Sequence, residues 1–444
     1  MVIFSYGMGD ASAVSPVYVS THGSNSWNGL SPTHIHGTLY GPKATIKNAV
    51  KTVKSGGALH IASGIYNENS IIINKNMYIV GAKQTSTVIN GNNKGPIFYI
   101  TGYAGKVSIH NLTFTNVKKN SVAIRNYGYG NLNVYRCSFR NSAGGAIDNG
   151  GDGGSVIVKD TIFTKNTAAI YNDIDHTMHL INCTFTDNKG MNIVSNGGIL
   201  YLDRCKFTNN PTVAVSNVFG GSIIATQSIF TNNSCAIENI GGLYVNGCTF
   251  TKNNEGAIWN ERVATVNSSK FTSNTAVNGG AIINVGEVAL TVTNSTFTNN
   301  IATNNGGALY NIYDSVLTVS NCTFTNNTAN AMGGAIYCDE DMMALNVTGC
   351  SFNSNTAKGE GGAIYSYGGT VNYNRLIGDK NYEIYNNGTN SLDARYNWWG
   401  SNNPDFSRLV SGLVNTTPWM VLTLKANPVT LQSSSEKTQQ VQQE

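Results

Sequence analysis

The chain has 444 residues and a formal net charge of +4, and only 12% of its residues are charged, about half the usual share of a globular protein. This weak positive charge, without a basic segment interleaved with aromatic residues, gives no case for a nucleic-acid partner. No stretch approaches the ~18 consecutive apolar residues that a membrane helix needs. Glycine is abundant at 48 residues and proline scarce at 8, which favours many turns joined by hydrogen-bonded strands.

Residues 1–16 are interpreted as a segment outside the folded domain. Their Ala11-Ser12-Ala13 sequence fits a signal-peptidase site, although a basic start is missing and the apolar stretch is short. We interpret the segment as the remnant of a signal peptide, with a disordered N-terminus as the alternative. The first interpretation predicts a protein that is extracellular or held at the cell surface.

An amphipathic helix is predicted over residues 42–53. It places Ile46, Val50 and Val53 on one face and surrounds them with lysines. A single helix ahead of a stacked-repeat fold is typical of a cap that shields the first repeat from water. Irregular early strands are then predicted at 59–61, 71–73, 77–80, 87–89, 97–100 and 107–109.

From about residue 107 to 386 one motif, V-x-x-C-x-F-x-x-N followed by A-I-x-N, recurs every 20 to 28 residues. Such a fixed period indicates a stacked-repeat protein. Apolar residues alternate within each repeat, which predicts short strands with one face inward. Val319 and Cys322 are three residues apart, so the alternation breaks and the chain must turn a corner between them. The motif's phenylalanine occurs as Phe114, Phe139, Phe163, Phe185, Phe207, Phe230, Phe250, Phe271, Phe297, Phe324 and Phe352.

Three strands separated by three corners make one triangular coil. Successive coils stack as parallel strands ~4.8 Å apart, and parallel crossovers of this kind are right-handed. The sequence therefore predicts an all-β fold, a single-stranded right-handed parallel β-helix with three short strands per coil and an N-terminal capping helix. We expect it to span residues 17–417 as a monomeric rod. An exit strand at 418–424 and a disordered tail complete the segment 418–444.

Two sets of inward residues should stack from coil to coil. Phe139, Phe163 and Phe185 are predicted to lie on one another inside the helix. The asparagine of A-I-x-N is predicted to form an inward or corner ladder, in which each amide bonds to the next coil. The ladder residues are Asn126, Asn149, Asn172, Asn196, Asn217, Asn239, Asn260, Asn284 and Asn311.

Three stretches resemble known families. The opening, with Tyr18-Val19-Ser20 and Ile79-Val80-Gly81, is similar to pectin-lyase-like β-helix proteins. The F-x-x-N and G-G-A-[IL] repeats resemble polymorphic outer-membrane-protein repeats. The closing Tyr396-Asn397-Trp398-Trp399-Gly400 is similar to the end of β-helices in adhesin-like surface proteins of methanogenic archaea. These resemblances imply a β-helix displayed at a surface, and they leave activity open because one fold hosts lyases, hydrolases and non-enzymes.

One acidic group could carry chemistry. It comprises Asp148 and Asp152 in one coil and Asp173, Asp175, His176 and His179 in the next. A hydrolase needs two carboxyl groups ~5–9.5 Å apart, whereas a lyase needs a base and a cation that stabilises the enolate. The repeat frame places Asp148 and Asp173 in different columns. We therefore favour solvated corners, or a calcium ion bridging two corners, over catalytic roles for Asp148, Asp173, Asp175 and His176.

An outward column is the other candidate site. In A-I-x-N the Ile points inward, so the variable residue x points outward, and the opposite assignment would bury charged residues. The aromatic members of the column, Trp259, Tyr310, Tyr337, Tyr365 and Tyr385, are predicted to contact a ligand, because exposed aromatic faces suit sugar rings or a protein interface. The alternative is an aromatic ladder that stabilises the sheet through cross-strand pairing.

Two function classes follow. The leading prediction is a non-enzymatic, adhesin-like surface or secreted protein that binds glycans or partner-cell surfaces and needs no cofactor. The alternative is a carbohydrate-active enzyme, either a polysaccharide lyase or a glycoside hydrolase. The lack of a compact acid–base cluster in the sequence favours the first class.

Overall fold

The computed structural model describes residues 14–102, 104–152, 154–218, 220–313, 315–339, 345–426 and 441–443. The predicted signal-peptidase site and most of the predicted tail lie outside the described residues. The chain divides into two compact units, Met1–Thr265 and Val266–Glu444. Each unit is built from coils of short parallel strands, which confirms the predicted all-β, right-handed parallel β-helix with three main strands per coil. We number the three sheets in the order in which a coil visits them.

The first unit contains the early coils and most of the regular ones. The strands described in it pair in parallel. Its sheet 1 contains Val17–Val19, Gly57–Ile61, Met77–Gly81, Lys106–His110, Asn131–Tyr135, Val156–Lys159, Thr177–Ile181, Ile199–Asp203, Ser222–Thr226 and Gly242–Asn246. Its sheet 2 contains Gly64–Asn67, Thr87–Asn90, Thr113–Thr115, Ser138–Arg140, Ile162–Thr164, Thr184–Thr186, Lys206–Thr208, Ile229–Thr231 and Thr249–Thr251. Its sheet 3 contains Ile71–Ile73, Phe98–Ile100, Val122–Asn126, Gly145–Asn149, Ile170–Asn172, Asn192–Asn196, Val213–Asn217, Ile237–Asn239 and Ile258–Asn260.

The second unit repeats this plan, and the strand Ala264–Asn267 includes residues of both units. Sheet 1 of the second unit contains Ala289–Thr293, Val316–Ser320, Leu345–Thr348, Thr370–Asn372, Leu392–Asp393 and Val414–Asn415. Sheet 2 contains Lys270–Thr272, Thr296–Thr298, Thr323–Thr325, Ser351–Asn353 and Arg375–Ile377, and sheet 3 contains Ile282–Val285, Leu309–Ile312, Ile336–Asp339, Ile364–Ser366, Ile384–Asn386 and Val410–Gly412. A small fourth sheet, absent from the sequence prediction, lies in the longer turns and contains Thr275–Ala276, Ile301–Ala302, Thr328–Ala329 and Thr356–Ala357.

The predicted corner between sheets 1 and 2 is a single left-handed residue. Asn321, with φ 54°, stands between Val319 and Cys322, and Asn182 with φ 51° has the same place before Cys183. Asparagine tolerates this conformation because its short polar side chain can bond locally. The three-residue offset in the sequence therefore marks the corner correctly.

The predicted phenylalanine stack is confirmed within each unit. In the first unit the ring centroids of Phe139 and Phe163 are 5.1 Å apart and those of Phe163 and Phe185 are 4.5 Å apart, with the rings nearly parallel. In the second unit Phe297 and Phe324 lie 4.8 Å apart. All of these rings are buried, and each buried ring stabilises the fold by roughly 1.5–3 kcal/mol.

The predicted asparagine ladder is also present within each unit. Its Nδ2–Oδ1 hydrogen bonds run from Asn126 through Asn260 in the first unit and from Asn284 to Asn311 in the second, with lengths of 2.7–3.0 Å. The asparagine of F-x-x-N forms a second ladder, including Asn188 to Asn210 in the first unit at 3.3 Å and Asn300 to Asn327 in the second at 3.0 Å. Both ladders supply buried amides with partners, which removes the cost of burying them.

The N-terminal helix is shorter than predicted and spans Ile46–Thr52. Residues before it remain extended because Lys43 N–H donates to Tyr18 O at 2.8 Å and so joins the first strand. Thr45 caps the helix, and Glu68 accepts hydrogen bonds from the first helical N–H groups at 2.7 and 2.9 Å. The helix contacts the first strands of sheets 1 and 3, which is consistent with the predicted cap.

The C-terminal part departs from the prediction in detail. Asp405 caps a single helical turn, Phe406–Leu409, which the sequence did not indicate. The exit strand predicted over 418–424 is found instead at Leu424–Ala426, paired antiparallel with Val441–Gln443. Residues 418–423 are not extended into a strand, and Trp419 packs edge-on against Phe406 with centroids 5.3 Å apart.

Candidate functional site

The outer column of sheet 3 has the register that the sequence predicts. In the first unit it contains Arg125, Asp148, Tyr171, Ser195, Ser216, Glu238 and Trp259, each paired with the next across neighbouring strands. In the second unit it contains Ile283, Tyr310, Tyr337, Tyr365 and Tyr385. Although these side chains point away from the interior, several of them are covered by the turns beside the sheet. The two units therefore present two different surfaces.

The first surface, which we call the acidic cluster, consists of Arg125, Tyr127, Asp148, Tyr171 and Asp173. Asp148 Oδ2 accepts hydrogen bonds from Arg125 Nε at 3.2 Å and from the Tyr127 hydroxyl at 3.1 Å. The Tyr171 hydroxyl donates to Asp173 Oδ1 at 3.1 Å. Within this cluster each carboxylate therefore accepts a hydrogen bond from a different tyrosine, and Asp148 also forms an ion pair with Arg125.

Glycine at position 150 allows the two carboxyl groups to approach each other. A Cβ atom built there would lie 3.3 Å from Asp148 Oδ1 and 3.6 Å from Asp173 Oδ2. The two carboxylates thus flank one small space, and their separation stays below the ~9.5 Å upper limit for a hydrolytic pair. Asp148 pairs with Tyr171 across neighbouring strands and not with Asp173. The prediction that Asp148 and Asp173 stand in different columns is therefore confirmed. The turn that follows the strand brings Asp173 back towards Asp148.

Burial dominates the electrostatics of the acidic cluster. Asp148 is 8% exposed, and this burial raises its pKa, while the Arg125 charge lowers it and the Asp173 charge raises it again. Burial also raises the pKa of Tyr127 and Tyr171, each of which lies beside a carboxylate. The arrangement favours a carboxyl group that keeps its proton to higher pH than usual.

Asp175 and His176, also predicted for the acidic site, lie in the turn after Asp173, whereas Asp152 lies in the turn of the preceding coil and His179 in the strand Thr177–Ile181. Asp175 has φ 63°, and His176 Nε2 is 3.1 Å from Gly151 O. Tyr127 was not among the predicted site residues. The sequence could have indicated it, because Tyr127 follows Arg125 by two residues and the alternation of a strand puts both side chains on one face.

The second surface, the tyrosine column, consists of Tyr310, Tyr337, Tyr365 and Tyr385 in the second unit. Their rings stack nearly parallel, with successive centroids 5.2, 5.1 and 5.3 Å apart. Tyr337 is 6% exposed and Tyr365 4% exposed. The ring faces of these two residues are therefore occupied by their neighbours, as an aromatic ladder requires.

Polar groups surround the rims of the buried rings. Burial, followed by the charge of Asp339 and a hydrogen bond to it, raises the pKa of Tyr337. Burial and a hydrogen bond with Tyr367 raise the pKa of Tyr365, and the rings of Tyr365 and Tyr367 meet edge-on at 5.8 Å. Tyr337 therefore has Asp339, and Tyr365 has Tyr367, as a polar partner beside its ring.

Trp259 lies in the first unit and is 39% exposed. Its indole N–H donates to Glu261 Oε1 at 2.9 Å. Next to it in the column, Glu238 accepts a hydrogen bond from Ser216 Oγ at 2.9 Å. Trp259 keeps more of its ring accessible than the buried tyrosines do, so it retains the capacity for face contact with a sugar.

Within the part of the chain that the structure describes, no group of three or more His, Cys, Asp or Glu side chains could hold a metal ion. Among those same residues, no helix has the length and apolar character needed to cross a membrane.

Comparison with known families supports the fold and the repeats. Residues 96–260 match the model of the right handed beta helix region. Residues 294–312, 321–339 and 349–367 match the Chlamydia polymorphic membrane protein repeat. Two of the three resemblances drawn from the sequence, to β-helix proteins and to these repeats, are thereby confirmed. The resemblance of the closing segment to adhesin-like proteins stays a prediction, and no curated protein matches the chain in sequence.

Several solved structures are similar to the chain at low sequence identity. The catalytic unit of an alpha-1,3-glucanase from Streptomyces thermodiastaticus is 15% identical with a TM-score of 0.46, covering 74% of this chain and 67% of its own. A mannuronan C-5 epimerase A-module from Azotobacter vinelandii is 11% identical with a TM-score of 0.37, covering 84% and 94%. Bacteriophage CBA120 tailspike protein 3 is 13% identical with a TM-score of 0.38, covering 82% and 57%. Likeness at this level carries no argument about activity.

Proposed function

We propose that the protein is a non-enzymatic, adhesin-like β-helix protein, secreted or displayed at a cell surface, that binds glycans or partner-cell surfaces along the outer column of sheet 3. The tyrosine column carries this proposal, because its in-register aromatic residues lie on the outer side of a regular sheet. The repeats matching a Chlamydia membrane-protein family support a surface location. Trp259 is the proposed contact in the first unit.

The stacked rings change the proposed mode of binding. A sugar cannot insert between Tyr337 and Tyr365, because their ring centroids are 5.1 Å apart. The ligand instead lies across the ring edges and exchanges hydrogen bonds with the tyrosine hydroxyl groups. Successive rungs stand ~4.8 Å apart, which is close to the length of one sugar unit, so an extended glycan meets one hydroxyl group per coil.

Replacing tyrosine by phenylalanine separates recognition from packing. The triple change Tyr310→Phe, Tyr337→Phe and Tyr365→Phe removes three hydroxyl groups and keeps the ring stack. Each lost hydrogen bond costs about 0.5–1.5 kcal/mol, so binding should weaken at least about tenfold. A glycan array would identify the ligand, and titration of that ligand would then measure the loss.

The matched control is the triple change to alanine at the same positions, which removes both the hydroxyl groups and the stack. We expect it to lower the melting temperature well below that of the phenylalanine variant, which keeps the ring stack and loses only the hydrogen bonds to Asp339 and Tyr367. Undiminished glycan binding by a folded phenylalanine variant would refute the proposed contact and leave the column as a structural ladder.

The acidic cluster favours a second candidate function, a carbohydrate-active enzyme of the glycoside hydrolase or polysaccharide lyase class. The observation behind it is the pair formed by Asp148, whose burial raises its pKa, and the neighbouring Asp173. Two carboxyl groups with different environments can act as acid and base. The charge of Arg125 opposes this role, because it lowers the pKa of Asp148 against the larger effect of burial.

Polysaccharide turnover tests the second candidate. Uronate polysaccharides and neutral glucans would be incubated at neutral pH with calcium, and new reducing ends and unsaturated products would be measured. Enzymatic turnover should fall at least about 100-fold in Asp148→Asn and Asp173→Asn, as expected for loss of an acid–base group. The exposed Asp152→Asn change is the control. The absence of turnover in the native protein would reject the enzyme.

A further inference from the structure

The second asparagine ladder of the second unit ends on a carboxylate. Its buried rungs run through Asn300, Asn327 and Asn355, and the next rung is Asp379. The Asn355 side chain donates to Asp379 Oδ1 at 2.8 Å, and the Asn355 backbone N–H donates to the same oxygen. A carboxylate therefore fills the place of an amide at the end of the ladder.

Asp379 lies against a second carboxyl group, that of Glu383. Asp379 N–H donates to Glu383 Oε1 at 3.3 Å, and Glu383 is 3% exposed. The remaining oxygen of each group, Asp379 Oδ2 and Glu383 Oε2, is buried and has no hydrogen-bond partner among the described residues. Two ionised carboxylates in this position would repel each other and would both lack solvation.

One proton satisfies both unpartnered oxygens at once. The two side chains are within hydrogen-bonding reach of each other, so a protonated carboxyl group can donate to its ionised neighbour. A calcium ion would need six to eight oxygen ligands and a magnesium ion six, while the other two carboxylate oxygens already accept N–H groups. A shared proton therefore fits this pair better than a metal ion does.

The surrounding charges do not neutralise the pair. Arg375, on the preceding strand of sheet 2, is the cation that acts on Asp379. Lys380 follows Asp379 and is exposed. On the neighbouring coils Lys358 and Arg408 are exposed, and Glu360 and Asp405 are acids of the same turns. Asp393, in the next strand, is paired with Arg395 at 2.8 Å. Arg408 is paired with Asp405 at 3.4 Å.

We propose that Asp379 and Glu383 share one proton, and that this proton holds the segment 378–386 closed against the end of the ladder. When the proton leaves, the two carboxylates repel and the segment opens locally. The device makes the C-terminal coils of the second unit sensitive to alkaline pH. The segment includes Tyr385 of the tyrosine column, but the proton alone holds it closed and no ligand on the column is needed.

The raised pKa of Glu383 determines whether the local opening becomes easier at high or at low pH. Burial, followed by the hydrogen bond and charge of Asp379, raises the pKa of Glu383 from 4.5 to about 10. The closed state therefore keeps a proton that the open state loses above pH ~4.5. Its stabilisation is complete below that pH and is lost progressively as pH rises towards 10. Over this window the opening constant should rise about tenfold per pH unit.

Hydrogen–deuterium exchange of the full-length protein between pH 6 and 9 measures this opening. After correction for the intrinsic exchange rate, protection of amides in 378–386 should fall about tenfold per pH unit in the native protein. Amides in the interior strand Thr323–Thr325 should show no such slope. A flat native profile for 378–386 would overturn the proposal without any variant.

Replacing the carboxyl groups of the pair by amides provides a second test of the shared proton. In Glu383→Gln the new N–H₂ group donates permanently to Asp379 Oδ2, so the slope should disappear. The double change Asp379→Asn with Glu383→Gln has no titrating group and should also be flat, whereas the control Glu360→Gln should keep the native slope. An unchanged slope in Glu383→Gln would overturn the proposal. So would 1 mM calcium chloride restoring protection at pH 9, which would assign the pair to a cation.

Discussion

Replacing Asn239 by leucine tests whether the first asparagine ladder stabilises the fold. Asn239 Nδ2 donates to Asn260 Oδ1 and to Gly241 O, both at 2.7 Å, and its Oδ1 accepts from Asn217 Nδ2 at 2.7 Å. Leucine has a similar volume, so the change removes the polar contacts and leaves little cavity. Asn217 keeps two backbone carbonyl partners, but the buried Gly241 carbonyl loses the side-chain donor.

We expect Asn239→Leu to lower the free energy of unfolding by about 2–4 kcal/mol, since each buried polar group left unpaired costs ~1–3 kcal/mol. Urea unfolding followed by circular dichroism and by tryptophan fluorescence would measure this loss. Asn67→Leu is the matched control, because exposed Asn67 also accepts an Asn–Asn hydrogen bond, from Asn90 at 2.9 Å. A loss no larger than that of the control would refute the stabilising role of the ladder.

Further predictions concern the core, the pH dependence and the small cysteine positions. Phe185→Ala should destabilise the protein by about 3–5 kcal/mol because it leaves a gap in the ring stack, as measured by urea unfolding; a loss below about 1 kcal/mol would contradict this. The hydrogen bond from Arg395 holds the pKa of Asp393 at about 2, so its stabilisation is present above pH ~4 and is lost as pH falls through 2. Asp393→Asn should reduce the fall of the melting temperature between pH ~4 and pH 2, and an unchanged fall would refute the assignment. Cys183→Ser should change the melting temperature little, because Cys183 Sγ already lies 3.4 Å from Val158 O and a hydroxyl group can donate there; a large loss would indicate that the thiol packs as an apolar group.

The repeat pattern predicts the fold because each coil packs on copies of itself. The break between Val319 and Cys322 gave the corner, which the structure realises as left-handed Asn321. The helix boundary was less accessible to the sequence. The backbone hydrogen bond between Lys43 and Tyr18 keeps the chain extended where the sequence pattern is helical. A helical pattern in the sequence gives no sign of such tertiary contacts.

The candidate sites were predicted less completely than the fold. The register placed Asp148 and Tyr171 in one column correctly, but the approach of Asp173 to Asp148 depends on the turn around Gly150. That turn is not part of the repeat. Periodicity therefore predicts which face a strand residue occupies, and it says little about side chains that turns bring together.

In-register stacking also limits what an outer column can do. When the same aromatic residue occurs in successive coils, its nearest partner is its own copy about 5 Å away, and the ring faces become part of the fold, as in Tyr337 and Tyr365. Recognition must then use the rims of the rings and the residues that vary between coils. Asp339 beside Tyr337 and Tyr367 beside Tyr365 are such residues. In the proposed glycan-binding function, ligand specificity would therefore come from the variable residues next to the column, and the repeated tyrosines would set only the spacing.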